Sequence, residues 1–133
     1  MELNKDCIRD ILLECESRLI LDDFGEMNCL SLNEFQSLSS KYGIGTVKYT
    51  VKKLSEAQLL DARILNYDGV DVCGFYIYDI TYIGHEFLDN VRDDKNWKNI
   101  KEVAKKIGST SVQSLVTIAT ALITEIIKQK IGG

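Results

Sequence analysis

The densest run of groups able to do acid–base or metal chemistry lies at residues 85–94, where His85 is followed by Glu86, Asp89, Asp93 and Asp94. A histidine beside carboxylates can move protons or hold a cation when the side chains converge. Here the spacing works against convergence. Asp89 and Asp93 fall one helical turn apart on a solvated face. Glu86 lies near a helix N-terminus, where negative charge is favoured without any ligand. His85 is expected to pack or hydrogen-bond locally, with no catalytic role and no metal.

The remaining reactive groups are thiols and glycines. Cys7, Cys15, Cys29 and Cys73 contain no C-x-x-C pair, and His85 is the single histidine, too few ligands for a zinc site. No cysteine has a neighbour that suggests an activated nucleophile. They are expected to be reduced and mostly packed as small apolar groups. "YGIGT" at 42–46 lacks the Lys-Ser/Thr that completes a phosphate-binding loop. A non-enzymatic protein without cofactors is expected.

A different chemistry is carried by the helix expected at 46–58. Its outer face holds Thr46, Lys48, Tyr49, Lys52 and Lys53, with Lys41 before it and Arg63 after it. Ammonium groups attract phosphates and release counterions, and threonine and tyrosine can reach phosphates or base edges. The same face also fits a solvated lysine surface, because it lacks the Arg, Asn and Gln that read bases best. Total charge does not decide between them. The net charge is −4, spread as −6 over residues 1–35, +3 over 36–63, −6 over 64–94 and +5 over 95–133.

These residues must be positioned by the elements around them. "NKDCIRDILLECESRL" carries an apolar helical stripe at Cys7, Ile8, Ile11, Leu12, Cys15 and Leu19, with Asn4 as N-cap. Asp22, Asp23 and Gly25 break it, and "EMNCLSL" reads as a short strand. Ser31 with Glu34 has capping-box spacing for a helix ending at Gly43. A tight turn of three or four residues then leads to the next helix near Thr46, with Val47, Val51, Leu54 and Ala57 inward. After "LSEAQLL" the apolar period falls to two around Asp68-Gly69, a hairpin signal with Asp68 and Asp71 at the tip. Phe75, Ile77 and Cys73 are expected on one face, Tyr76 and Tyr78 on the other. Thr81 caps the following helix, and Gly84 permits close approach of another backbone.

The rest is helical. One helix places Trp97, Ile100, Val103, Ala104 and Ile107 together and ends at Gly108; a second spans residues 109–131. Its stripe of Val112, Leu115, Val116, Ala119, Leu122, Ile123 and Ile126 is wider than a small core needs, so it could seat a homodimer or a protein partner. The alternative is that it covers the chain's own core. No run of 18 apolar residues predicts a membrane span, and "MELNKDCIRD" has no secretory h-region, so a cytoplasmic protein without membrane association is expected.

The order helix, strand, helix, turn, helix, hairpin, helix is that of a winged helix-turn-helix domain. "DCIRDILLE" and "TYIGHEFLDNVRDDKNW" together resemble an uncharacterised winged-helix family, a domain of unknown function common in Gram-positive bacteria and their prophages. Ile80, Thr81, Gly84 and Leu88 match the segment by which winged-helix transcription factors leave the wing. "VKYTVKKLSEAQLL" is similar to the recognition-helix region of winged-helix repressors, with Gln58 where glycine is usual. The resemblance implies fold and context and supplies no catalytic residues.

The expected architecture is mainly α with a small β wing: a winged-helix domain over 1–94 and a helical extension over 95–133 packed on it. The expected function is DNA-binding or regulatory, with duplex DNA met by Lys48, Tyr49, Lys52 and Lys53. The alternative is a protein-interaction module on the same scaffold that has lost DNA binding.

Overall fold

The structure is a computed structural model, described for residues 1–109 and 111–132. Among the described residues, six α-helices and a three-stranded antiparallel sheet surround one apolar core. Helix α1 (Lys5–Arg18) begins at Asn4, whose side chain accepts from the Cys7 amide at 3.0 Å, and buries Cys7, Ile8, Ile11, Leu12 and Cys15. Burial pushes the Cys15 thiol up to about 12, so it behaves as a small apolar group. Cys7 is buried likewise, but Cys29 and Cys73 are exposed, so only half of the thiols are packed.

Strand β1 (Leu30–Ser31) is two residues long. The Ser31–Glu34 box opens a 3₁₀ turn (Leu32–Phe35) before α2 (Gln36–Tyr42). The Glu34 carboxylate accepts from the Ser31 amide at 2.7 Å and from its hydroxyl at 2.8 Å. These bonds, the amide first, hold the Glu34 carboxyl below its ordinary 4.5, and the Arg92 guanidinium does the same for Glu16. A carboxyl depressed in the folded state contributes fully above its unfolded value and loses that contribution as pH falls through the folded one. Stability is therefore expected to drop as pH falls below about 4.5. In urea titrations the Glu34→Gln chain, which keeps the box without a charge, should lose less across that range.

Helix α3 (Ile44–Glu56) follows α2 after one residue, Gly43, at φ +93°. The turn is shorter than the sequence suggested, and α3 starts at Ile44, two residues before Thr46. Glycine tolerates this left-handed backbone, so the chain reverses without a loop. Inside α3, Val47, Thr50, Val51 and Leu54 are buried. Thr50 adds a hydroxyl to this face and satisfies it by donating to the Thr46 carbonyl at 2.7 Å.

The C-terminus of α3 turns at Gln58, a non-glycine residue at φ +65°. Leu59 N donates to the Leu54 carbonyl at 2.9 Å and Gln58 N to the Ser55 carbonyl at 3.0 Å, the paired bonds of a Schellman cap. Side chains in this conformation cost about 1–2 kcal/mol. Gln58→Gly is expected to stabilise the fold by roughly 0.5–1 kcal/mol once glycine's extra unfolded-state entropy is subtracted. Chemical denaturation of the two chains measures this.

The hairpin forms as its sequence indicates. Strands β2 (Leu60–Tyr67) and β3 (Val70–Ile80) meet at Asp68 and Gly69, both with positive φ, and β1 pairs with the other side of β3. Phe75 and Ile77 are buried; Tyr76 and Tyr78 are on the open face. Thr81 joins the sheet to α4 (Tyr82–Val91): it accepts from the Gly84 amide at 3.0 Å and donates to the Gln58 carbonyl at 2.6 Å. Helix α5 (Asp94–Ile107) is capped by Asp93, which accepts from the Asn96 amide at 2.9 Å. Helix α6 (Val112–Gly132) packs on α4 and α5. Thr110, which the sequence reading placed in this last helix, lies outside the described residues.

Candidate nucleic-acid interface

The inner face of α3 is spent on the core, which leaves Thr46, Lys48, Tyr49, Lys52 and Lys53 on its outer side, partly exposed. They are not equivalent. Lys53 lies 2.9 Å from Glu56 and 5.4 Å over the Tyr49 ring, and the Glu56 hydrogen bond raises its pKa. Lys48 and Lys52, one turn apart, make no ion pair among the described residues.

Two of the basic residues that the sequence groups with this face are placed elsewhere. Lys41 reaches Asp10 of α1 at 3.3 Å and sits 5.1 Å over the Tyr42 ring, while the Tyr42 hydroxyl donates to the same carboxylate at 2.5 Å. Burial first, then Asp10, raises the Tyr42 pKa, which keeps this donor protonated. Arg63 pairs across the hairpin with Tyr76, on the sheet face turned away from the core and therefore from α3. The tip adds exposed Tyr67 and Val70 around Asp68, with Asp71 beside them. An open cleft of about 550 Å³ at the hairpin's foot has Asp61 as its one charged liner. Among the described residues, Lys48 and Lys52 are the lysines of α3 that make no ion pair.

The acidic run after His85 does not converge. Asp89 lies 3.3 Å from Arg92, Asp93 caps α5, and Asp94 pairs with Arg9 at 2.7 Å. Among the described residues no three His, Cys, Asp or Glu side chains gather in a way that could hold a metal ion.

On α6, Val112, Leu115 and Ala119 are buried in the chain's own core, and Val116 and Leu122 pack against it. Ile123 and Ile126 are half-buried. The open apolar surface lies further along, at Ile127 and Ile131. Among the described residues no helix is long and apolar enough to cross a membrane.

One surface that the sequence reading divided between a break at 22–25 and the start of a strand at 26 is residues 20–28, of which no residue belongs to β1. Ile20, Leu21, Phe24 and Met27 are all exposed there, Phe24 by 94%. Apolar residues alternating with Asp22, Asp23 and Glu26 were the available signal, but periodicity alone does not separate it from an ordinary loop.

A family model described as "Hypothetical protein (DUF2513)" matches residues 2–111, from α1 through α5, and the chain belongs to that family. An uncharacterized protein of Haemophilus influenzae (strain ATCC 51907 / DSM 11121 / KW20 / Rd) is 29% identical over 128 residues, covering 96% of this chain and 99% of the relative. No solved structure matches.

Proposed function

We propose that the chain is a non-enzymatic winged-helix protein of bacterial or prophage origin that binds duplex DNA through α3 and acts as a regulator. The observation that carries this reading is the pair Lys48 and Lys52, one turn apart and without an ion pair among the described residues, on a helix whose other side is locked into the core. Such a helix can lie against a groove without rearranging, and its ammonium groups release counterions from phosphate. The order of α1, β1, α2, α3 and the β2–β3 hairpin is that of a winged helix. The acidic hairpin tip is repelled by phosphate, so contact is led by the helix. The expected result is retardation of genomic fragments from the encoding organism that weakens steeply with salt. Lys48→Glu with Lys52→Glu should abolish it without changing the melting curve. Wild type that shifts no fragment at low salt sinks the reading.

A second reading, a protein-interaction module that has lost DNA binding, is favoured by the ion pairs that occupy Lys41 and Lys53 and by the acidic tip. The ridge of Ile123, Ile127 and Ile131 on α6 would then seat the partner or a twin. Partner binding that survives the lysine changes but is lost in Ile127→Lys with Ile131→Lys selects this reading. Deleting α6 would not test it, because Val112, Leu115 and Ala119 belong to the core.

A further inference from the structure

Helix α5 carries five lysines where α3 carries three. Its inner side is fixed: Trp97, Ile100 and Ala104 are buried, and the Trp97 indole donates to Asp6 of α1 at 2.9 Å. Lys95, Lys98, Lys101 and Lys105 follow one another three or four residues apart, so they form one slanting row on the open side. Lys101 is half-buried against α1, 2.8 Å from Asp6. Lys95, Lys98 and Lys105 are exposed and make no ion pair among the described residues. The acids of the helix are Asp94, 2.7 Å from Arg9, and Glu102.

This row works against the helix that bears it. Lysines three or four residues apart repel one another, and Lys95 sits in the first turn, where the macrodipole favours an acid. Lys105 suits the last turn, but Lys95 and Lys98 gain nothing from their places in the helix. Glu102 lies one turn from Lys98, yet the two make no ion pair among the described residues. The Asp6 carboxylate relieves Lys101 alone. An anion laid along the row would relieve the whole of it.

The row also says what kind of anion fits. From Lys95 to Lys105 the helix rises about 15 Å, a length over which a duplex carries roughly nine phosphate charges. Helix α5 has no arginine fork to read a base, and its one aromatic ring, Trp97, is buried and cannot stack on an unpaired one. Contact is therefore with the backbone of a duplex, whatever its sequence. The exposed apolar residues of α5, Val103 and Ile107, fall on the opposite flank of the helix, so the row has no apolar edge to sink into a lipid surface.

We infer that α5 is a second, sequence-independent contact for duplex DNA, with Lys95, Lys98 and Lys105 along the phosphates. It goes beyond the α3 reading and shares with it only the class of ligand. The test is fluorescence anisotropy of a labelled random-sequence duplex titrated with the full chain at several salt concentrations. Wild type should bind, with log affinity falling linearly in log salt. Changing Lys95→Gln, Lys98→Gln and Lys105→Gln together should flatten that slope by about 2 to 3 and weaken binding about tenfold or more near 0.1 M salt. The same chain should melt no lower than wild type, because the repulsion along the row is gone. Lys128→Gln with Lys130→Gln, at the end of α6, should leave the slope as it is. A slope indifferent to the α5 changes, or flattened equally by the α6 pair, overturns the inference and leaves the α3 reading standing. Binding lost with the α5 changes but kept in Lys48→Glu with Lys52→Glu supports it and sinks the α3 reading instead. Wild type that binds no duplex at low salt overturns both.

Discussion

Gly84→Ala is expected to destabilise the fold by about 3 kcal/mol or more, which lowers the melting temperature by on the order of 10 °C. A Cβ at this position would lie 2.1 Å from the Leu59 carbonyl oxygen, 3.1 Å from its carbon and 2.7 Å from Ile80 Cγ2. The isoleucine methyl can rotate away. The carbonyl cannot, because it accepts from the Thr81 amide at 3.1 Å, one residue after the Gln58 carbonyl takes the Thr81 hydroxyl. Relief therefore requires lifting α4 from the α3–β2 corner, which strips contacts from buried Phe87, Leu88 and Val91.

The sign makes the result diagnostic. Gly→Ala inside a helix ordinarily stabilises by roughly 0.5–1 kcal/mol. Gly45, in the first turn of α3, has nothing within 4 Å of its would-be Cβ. Gly45→Ala should hold or raise stability by a few tenths of a kcal/mol, whereas Gly84→Ala lowers it severalfold more. Thermal melts followed by circular dichroism distinguish the two. Equal and small effects would mean that the Leu59 carbonyl is not what confines residue 84.

Gly84 was legible because a glycine in the first turn of a helix signals a close approach, although its partner, the Leu59 carbonyl, did not show. Asp68-Gly69, the Ser31–Glu34 box and Thr81 likewise name their own geometry, and each forms the bonds its residue types favour. What failed to show in the sequence depends on contacts between distant segments. Arg63 follows α3 closely in sequence, but strand pairing with Tyr76 turns it to the far face of the sheet. Lys41 looks like part of the lysine face until α1 brings Asp10 beside it. The stripe on α6 is wide, yet sequence cannot say how much of it α4 and α5 cover. The exposed segment at 20–28 was hidden for a related reason: exposure is a property of the assembled surface, and a phenylalanine among acids gives no warning of it. The basic surface left for the proposed contact is therefore narrower than composition implied, and rests on Lys48 and Lys52.

Arg9→Met is expected to cost about 2–3 kcal/mol, though the substitution keeps an apolar stem of similar length. Arg9 belongs to α1, and its side chain is only 14% exposed. Its Nε donates to the Val91 carbonyl at 2.8 Å and one terminal nitrogen to the Arg92 carbonyl at 2.5 Å. Helices leave their last carbonyls without internal partners, and α5 begins too soon after Val91 for a separate cap to form. Arg9 supplies those donors from across the core, lying 6.0 Å from the Trp97 ring. Its ion pair with Asp94 is the lesser part, because that carboxylate is 93% exposed and such pairs contribute about 0–1 kcal/mol. Asp94→Asn should thus cost under about 0.5 kcal/mol, and the Arg9→Met loss should persist in about 1 M salt, where exposed pairs are screened. Arg92→Met supplies the contrast. Its partners Glu16 and Asp89 are themselves partly solvated, so its cost should stay near 1 kcal/mol and shrink as salt rises. If urea titrations gave Arg9→Met and Asp94→Asn the same small loss, the carbonyl bonds would not be what joins α1 to the α4–α5 corner.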